Sequence, residues 1–254
     1  MIFYFSGSGN SEYVAQYLST SFGDKCIFIP DVLTDDVTYE LAEGERLGFV
    51  FPIYAWGIPD FVADFISRLS IKGASYIYYV CTCGDDTGKT KEQVCNIAKS
   101  KGWNISLGYA VKMPNTYVCL PGFDVDDKNL EKGKLTNARV KLEEIILHLK
   151  NYDKNCFETL PGNFAWLKSA VIRPMFNKCL MTATPFHTTE SCIHCGKCAK
   201  ECPMQNIKLS EETSTPIWGD KCVGCLRCYH LCPTNSIQYG TFTKGKGQYC
   251  YKKQ

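Results

Sequence analysis

The chain has 254 residues with 45% hydrophobic content, 16 cysteines and a formal net charge of +2. Its length suits two domains, and its composition suits a globular protein with a sizeable core. Lysine and arginine are dispersed along the sequence, which argues against a nucleic-acid-binding surface, and no run reaches the roughly 18 apolar residues of a membrane span.

The N-terminal segment predicts a strand, a tight loop and a helix. An apolar run at residues 2–5 is followed at once by the loop Ser6-Gly7-Ser8-Gly9-Asn10-Ser11. Apolar residues then recur at helical spacing from Tyr13 to Phe22. Backbone N–H groups and the helix dipole favour an anion at such a loop, which is therefore a predicted phosphate site. A flexible linker is disfavoured between a strand and a helix, and a nucleotide P-loop would end in Gly-Lys-Ser/Thr.

Four further segments are nearly continuous in apolar residues, as buried parallel strands are. They are Cys26–Ile29, Leu47–Phe51, Ser75–Cys81 and Ile105–Val111. Helical patterns separate them, and a last helical pattern runs from Leu142 to Leu149. This alternation predicts a doubly wound α/β domain with a five-stranded parallel sheet over residues 1–150.

Three loops follow predicted strands at the sheet edge where α/β domains bind ligands. The loop after the third strand carries Pro52, Tyr54, Ala55, Trp56 and Gly57, and the loop after the fourth carries Cys83, Gly84 and Asp85. The two aromatic side chains suit stacking on a flat ring, and packing on their own domain is the alternative. The third loop, Met113–Tyr117, either closes over a ligand, admits a substrate or is an ordinary surface turn.

The loop at residues 6–11 resembles the FMN-phosphate loop of flavodoxins, with Ser8 and Ser11 where threonine is commoner. This resemblance implies a flavodoxin-like domain with strand order 2-1-3-4-5 and FMN as the cofactor. It also implies that Tyr54 or Trp56 lies against the flavin. The loop Cys83-Gly84-Asp85 resembles the second flavin-contacting loop of that family.

Residues 151–185 predict a connector between two domains. Pro161-Gly162 interrupts the chain, and apolar residues then recur from Phe164 to Ile172. We predict a helix that breaks near Arg173-Pro174 and whose apolar face packs between the domains. An aromatic-rich connector favours a fixed interface over a free tether.

Eight cysteines near the C-terminus form an internal repeat with a period of 30 residues. The two runs are Cys192, Cys195, Cys198, Cys202 and Cys222, Cys225, Cys228, Cys232. A proline directly follows the last cysteine of each run, at Pro203 and Pro233. Three thiols at two-residue gaps suit a cubic iron–sulfur cluster, whereas zinc sites use paired knuckles and disulfides need an oxidising compartment.

The stretch from His187 to Tyr239 resembles a bacterial two-cluster ferredoxin, and we assign residues 186–240 to a small α+β domain of that kind. In that family the last cysteine of each run ligates the other cluster. The resemblance therefore implies a first 4Fe–4S cluster on Cys192, Cys195, Cys198 and Cys232. It implies a second on Cys222, Cys225, Cys228 and Cys202.

The remaining candidate groups receive structural interpretations. Six cysteines without ligand spacing are predicted packing or surface thiols: Cys26, Cys95, Cys119, Cys156, Cys179 and Cys250. Three histidines lie near the clusters in sequence. They are predicted to be solvated or to contact the ligand cysteines without binding iron themselves: His187, His194 and His230. The tail at residues 241–254 is expected to be disordered, with docking of an acidic redox partner as the alternative.

The whole chain resembles anaerobe proteins in which a flavodoxin-like domain precedes a two-cluster ferredoxin. The resemblance implies electron transfer, with a protein donor such as ferredoxin and an organic acceptor. A carrier without chemistry of its own is the alternative, and a redox sensor is a third interpretation. No Gly-x-Gly-x-x-Gly follows a strand, so direct use of NAD(P)H is unsupported.

No catalytic residue is assigned. The cysteine content and the lack of an export-like N-terminus predict a reducing cytoplasm.

Overall fold

A computed structural model of the protein describes residues 1–34, 37–180 and 182–251. The side chain of Cys179 and residues Lys252 and Lys253 lie outside the described part. The strands are β1 Ile2–Tyr4, β2 Cys26–Phe28, β3 Thr38–Glu40, β4 Arg46–Pro52, β5 Ser70–Lys72, β6 Tyr76–Cys83, β7 Ile105–Lys112, β8 Cys156–Glu158, β9 Phe186–Thr188, β10 Ile207–Leu209, β11 Pro216–Trp218 and β12 Ile237–Tyr239. The α-helices are α1 Asn10–Phe22, α2 Asp60–Arg68, α3 Thr90–Ser100, α4 Lys128–Lys150, α5 Ala165–Leu167, α6 Arg173–Leu180, α7 Lys197–Lys200 and α8 Arg227–Leu231.

The central sheet is parallel throughout and has the strand order β2-β1-β4-β6-β7-β8. The prediction of five strands is wrong, because β8 pairs with Leu107–Tyr109 of β7 and adds a sixth. Its three residues are too few to give a periodic pattern, and they are only partly buried at the sheet edge. A separate parallel pair, β3 with β5, was also not predicted.

Helices cover both faces of this sheet, as the alternating pattern predicts. One face packs against α2 and α3, which contribute Val62, Phe65, Ile66, Val94 and Ala98. The other face packs against α1 and α4, which contribute Val14, Leu18, Leu142, Ile145 and Leu149. Because the strands are parallel, the loops that follow their carboxyl ends converge at one edge of the sheet. No helix in the described ranges is long and apolar enough to cross a membrane.

The connector between the two parts departs from its prediction. It begins with β8 and then forms one continuous helix, made of α5, a π turn at Lys168–Ile172 and α6. The helix continues through Pro174, which directly follows the π turn and Arg173, so the predicted break does not occur there. The π turn is closed by the N–H group of Arg173, which donates to the carbonyl oxygen of Lys168.

Most apolar side chains of the predicted face are exposed and not buried between the domains, contrary to the prediction. Phe164 is 78% exposed and Trp166 is 61% exposed. Two ion pairs hold the helix against the flavodoxin-like part instead, Lys168 with Asp86 at 2.6 Å and Arg173 with Asp60 at 2.5 Å. The described contacts of the connector with this part are therefore largely polar.

The C-terminal part consists of two antiparallel strand pairs and two short helices. β9 pairs with β12 and β10 pairs with β11, while α7 and α8 each lie within a cysteine run. Its core includes Phe186, Tyr229, Ile237 and Tyr239. Val118, from the loop after β7, is fully buried in the same core, so the two parts of the chain share buried apolar surface.

Candidate functional site

A cavity of about 740 Å³ lies at the carboxyl-terminal edge of the parallel sheet. The loops after β1, β4, β6 and β7 line it, together with the connector helix and the second cysteine run. Open α/β sheets bind their ligands at this edge, where the strand order reverses. The size falls in the range of small-molecule and cofactor sites.

The loop at residues 6–11 has the geometry of an anion site. Gly9 precedes α1 with a φ of 93°, and no side chain in the described chain caps the start of that helix. Ser6 Oγ accepts from the N–H group of Gly9 at 3.0 Å, and Ser11 Oγ lies 2.7 Å from Thr82 Oγ1. The hydroxyls therefore shape the loop, and the uncapped amides at the helix start remain to bind a phosphate.

The aromatic loop after β4 is a tight turn with an unusual backbone. The backbones of Tyr54 and Gly57 pair across it, and Ala55 and Trp56 both have positive φ angles, 44° and 61°. Such angles cost energy in residues with a side chain and concentrate at functional sites. Ser169 Oγ on the connector donates to the carbonyl oxygen of Trp56 at 2.9 Å, which helps to hold the turn.

The cavity brings together all the predicted flavin-loop residues except two. Its lining includes Ser6, Gly7, Ser8, Asn10, Ser11, Pro52, Tyr54, Ala55, Trp56, Cys83, Gly84 and Asp85. Gly9 instead faces the tail, where a Cβ atom would lie 3.0 Å from Tyr251. Gly57 faces the connector, where a Cβ atom would clash with the Arg173 side chain.

Several lining residues were missed by the sequence analysis. They include Leu120, Phe123, Lys168, Ile172, Met175, Phe176, Gly224 and Leu226. Four of these lie on the connector at the spacing of one helical face. That spacing could have predicted that they face the same site. The loop Met113–Tyr117, for which we left three interpretations open, also lines the cavity.

The eight repeat cysteines form two groups in space. A small cavity is lined by Cys192, Cys195, Cys198 and Cys232. The other four thiols also lie close to one another: burial raises the pKa of Cys228 well above its usual value, and the neighbouring Cys225, Cys222 and Cys202 raise it further. Each group combines three thiols of one run with the last thiol of the other, as a cubic cluster requires. Iron binds thiolates, so loading this second group releases protons.

Hydrogen bonds reach the two cysteines that cross between the runs. Cys232 Sγ accepts from the N–H group of Ser236 at 3.3 Å and lies 3.2 Å from Ser236 Oγ. Cys202 Sγ accepts from the N–H group of Asn206 at 3.4 Å. Asn206 and Ser236 are equivalent positions of the repeat, and only Ser236 adds a hydroxyl. Hydrogen bonds to sulfur help to set the reduction potential of a cluster.

The second cysteine run touches the predicted phosphate loop. Arg227 donates from Nη1 to the carbonyl oxygen of Gly7 at 3.0 Å and pairs through Nη2 with Glu201 at 2.7 Å. A Cβ atom on Gly7 would lie only 2.5 Å from the carbonyl oxygen of Cys225. Glycine at this position therefore permits the two loops to meet, and Cys225 also lines the large cavity.

The tail is ordered up to Tyr251, contrary to the prediction of disorder. The N–H group of Tyr251 donates to the carbonyl oxygen of Ser8 at 2.8 Å, and its ring stacks on Tyr13 with centroids 4.5 Å apart. Lys246 donates from Nζ to the carbonyl oxygens of Val118 and Leu120 at 2.7 and 2.6 Å. The tail thus packs along the loops that enclose the cavity.

His230 is buried and joins three segments, so the prediction of a solvated or ligand-supporting role does not describe it. Its Nε2 donates to the carbonyl oxygen of Thr116 at 2.8 Å, and its Nδ1 accepts from the N–H group of Tyr249 at 3.2 Å. Burial lowers its pKa to about 4, which matches this neutral tautomer. His187 and His194 are exposed.

The parallel sheet with its phosphate loop and the doubled cysteine motif define an electron-transfer protein that carries flavin and iron–sulfur centres. Family models match a flavodoxin domain at residues 1–112 and a 4Fe–4S dicluster domain at residues 187–239. The chain is therefore a flavodoxin–ferredoxin fusion, and its cofactors are FMN and 4Fe–4S clusters. No curated protein matches the sequence.

Solved structures resemble this chain only distantly. An FMN-dependent NADH-azoreductase from Bacillus anthracis str. Ames Ancestor is 12% identical, with a TM-score of 0.37, over 58% of this chain and 98% of its own. The Trp repressor binding protein from Bacillus subtilis is 17% identical, with a TM-score of 0.34, over 54% of this chain and 95% of its own. A putative flavoprotein from Bacteroides uniformis ATCC 8492 is 13% identical, with a TM-score of 0.34, over 44% of this chain and 88% of its own.

Proposed function

We propose that this protein takes electrons from a ferredoxin-type donor and delivers them to a small organic acceptor. Bound clusters exchange single electrons, and bound flavin holds one or two, which suits an acceptor that needs a pair. The two clusters take the ligand sets Cys192, Cys195, Cys198, Cys232 and Cys222, Cys225, Cys228, Cys202. A reducing cytoplasm suits a chain with so many free thiols.

The observation that carries this proposal is the contact between Gly7 and Cys225. A loop of the flavin cavity and a ligand of the second cluster share one surface, with room for a glycine only. Arg227 holds the two loops together through the carbonyl oxygen of Gly7. Cofactors held by these loops are neighbours, so this chain itself supports electron passage between them.

The residues around the cavity have distinct proposed roles. The amides at the start of α1 bind the FMN phosphate, with Ser6 and Ser11 shaping the loop. Trp56 or Tyr54 lies against the flavin ring. We assign residues 1–150 to the flavin domain, 151–185 to the connector, 186–240 to the cluster domain and 241–254 to the tail.

The open cavity favours the reductase over a carrier without chemistry of its own. A carrier needs only a protected flavin edge, whereas an enzyme needs access for a small molecule. Phe123 and Met175 line the cavity and are 47% and 64% exposed, so the cavity opens to solvent beside them. A mouth bordered by large apolar side chains suits an organic molecule.

Anaerobic purification and a donor–acceptor screen test the proposal. We expect about eight irons and one FMN per chain. Reduced ferredoxin should then drive the reduction of at least one neutral organic acceptor, and NAD(P)H should not replace it. Electron exchange with protein partners but no turnover with any small acceptor would favour the carrier and overturn the reductase.

A further inference from the structure

We propose that the connector side of the cavity is a binding subsite for a neutral, flat, apolar organic molecule. We call it the connector subsite and define it by Leu120, Phe123, Lys168, Ile172, Met175 and Phe176. It rests on the proposed function, because this is where the acceptor of the reductase binds. None of these residues belongs to the phosphate loop or to the two loops predicted to contact the flavin.

One face of the connector helix forms a wall of this subsite. Lys168, Ile172, Met175 and Phe176 follow one another at spacings of four, three and one residues, which places them on one helical face. Val171 is not among the described residues that line the cavity, although it is apolar and 50% exposed on the same helix. The wall begins in the π turn Lys168–Ile172, and such turns occur frequently at functional sites.

The lining on this side is apolar and reaches solvent. Exposed apolar side chains are common singly, but here Phe123 and Met175 border the same cavity mouth from two different elements. Phe176 lies deeper and packs on Tyr117, with ring centroids 5.5 Å apart. A flat ring that enters between these side chains removes their apolar surface from water, which favours binding.

The charges at the subsite favour a neutral ligand over an anion. Lys168 is the only lysine among the described residues that line the cavity, and its Nζ pairs with Asp86 at 2.6 Å. The same Nζ lies 5.3 Å from the centroid of the Trp56 ring, so the cation is already engaged. Asp85 also lines the cavity, which leaves the carboxylates in excess over the lysine. An anionic ligand would therefore be repelled.

A binding experiment on the oxidised protein, loaded with FMN and clusters, tests the subsite without any electron donor. The probes are methyl naphthyl ketone, which is neutral and flat, and naphthoate, which has a similar shape and a negative charge. Calorimetry should detect the ketone and show much weaker binding of naphthoate. Met175→Glu should weaken ketone binding about ten-fold, because it places a charge against an apolar ring.

The matched control is Val171→Glu, which adds the same charge to the same helix outside the cavity and should leave ketone binding unchanged. Phe123→Ser should weaken binding as well, and it provides an independent variant should Met175→Glu misfold. Absence of ketone binding to the unmodified protein would overturn the subsite. The same conclusion would follow if Met175→Glu and Val171→Glu bound the ketone with equal affinity and Phe123→Ser bound it as tightly as the unmodified protein. Binding with this pattern but without turnover supports the subsite and overturns the reductase, so the two failures are distinguishable.

Discussion

Tyr249 donates a hydrogen bond of 2.8 Å from its hydroxyl to Oδ1 of Asn10, and both side chains are buried. Asn10 in turn donates from Nδ2 to the carbonyl oxygen of Pro114 at 3.0 Å. One amide side chain therefore holds the phosphate loop to the tail and to the loop after β7. The tail near the C-terminal end of the described chain therefore contacts the phosphate loop, which begins at Ser6.

Tyr249→Phe should weaken FMN binding about ten-fold, because the buried Asn10 oxygen loses its donor and the phosphate loop loses a restraint. Fluorescence titration of the flavin-free protein with FMN measures this change. The control is Tyr152→Phe, which removes an exposed hydroxyl that donates to the carbonyl oxygen of Gly44 at 2.6 Å. Equal FMN affinities in the two variants would show that the tail does not support the site.

Cys202→Ser should remove the cluster bound by Cys222, Cys225 and Cys228 and leave about four irons per chain. The electron paramagnetic resonance spectrum of the reduced variant should match that of Cys222→Ser. Cys192→Ser should leave the other cluster and a different spectrum. A Cys202→Ser spectrum that matches Cys192→Ser would contradict crossed ligation.

Ser236→Ala should lower the reduction potential of the first cluster. The hydroxyl lies 3.2 Å from Cys232 Sγ, and a donor to sulfur stabilises the more negative, reduced state. Potentiometric titration followed by electron paramagnetic resonance measures the shift. Ser191→Ala is the control, since this exposed hydroxyl pairs with Thr189 Oγ1. A potential that moves equally in both variants would rule out the hydrogen bond as its cause.

The local motifs were predictable from the sequence because each depends on neighbouring residues. The cysteine repeat carries its own spacing, and the loop from Ser6 to Ser11 lies between a strand and a helix that both have clear patterns. Contacts across the chain were not predictable. Tyr249 lies in a polar, basic tail, and nothing near it indicates Asn10 as its partner.

The connector shows the limit of apolar patterning. Its aromatic residues predicted a buried face, but Phe164 and Trp166 are exposed, and ion pairs with distant aspartates hold the helix. The short edge strand β8 was not predicted for a related reason. It is a strand because it pairs with β7, and its own three residues carry no strand pattern.

The most direct test of electron passage between the domains is rapid mixing with reduced ferredoxin, comparing Gly7→Ala with Gly133→Ala. A Cβ atom on Gly7 would clash with the backbone of Cys225, whereas one on Gly133 meets nothing within 4 Å. In molecules that retain both cofactors, we predict that iron–sulfur absorbance falls before or together with flavin absorbance. Gly7→Ala should slow the flavin phase and leave cluster bleaching at its normal rate. A flavin phase equally fast in both variants, or one that precedes cluster bleaching, would contradict the account.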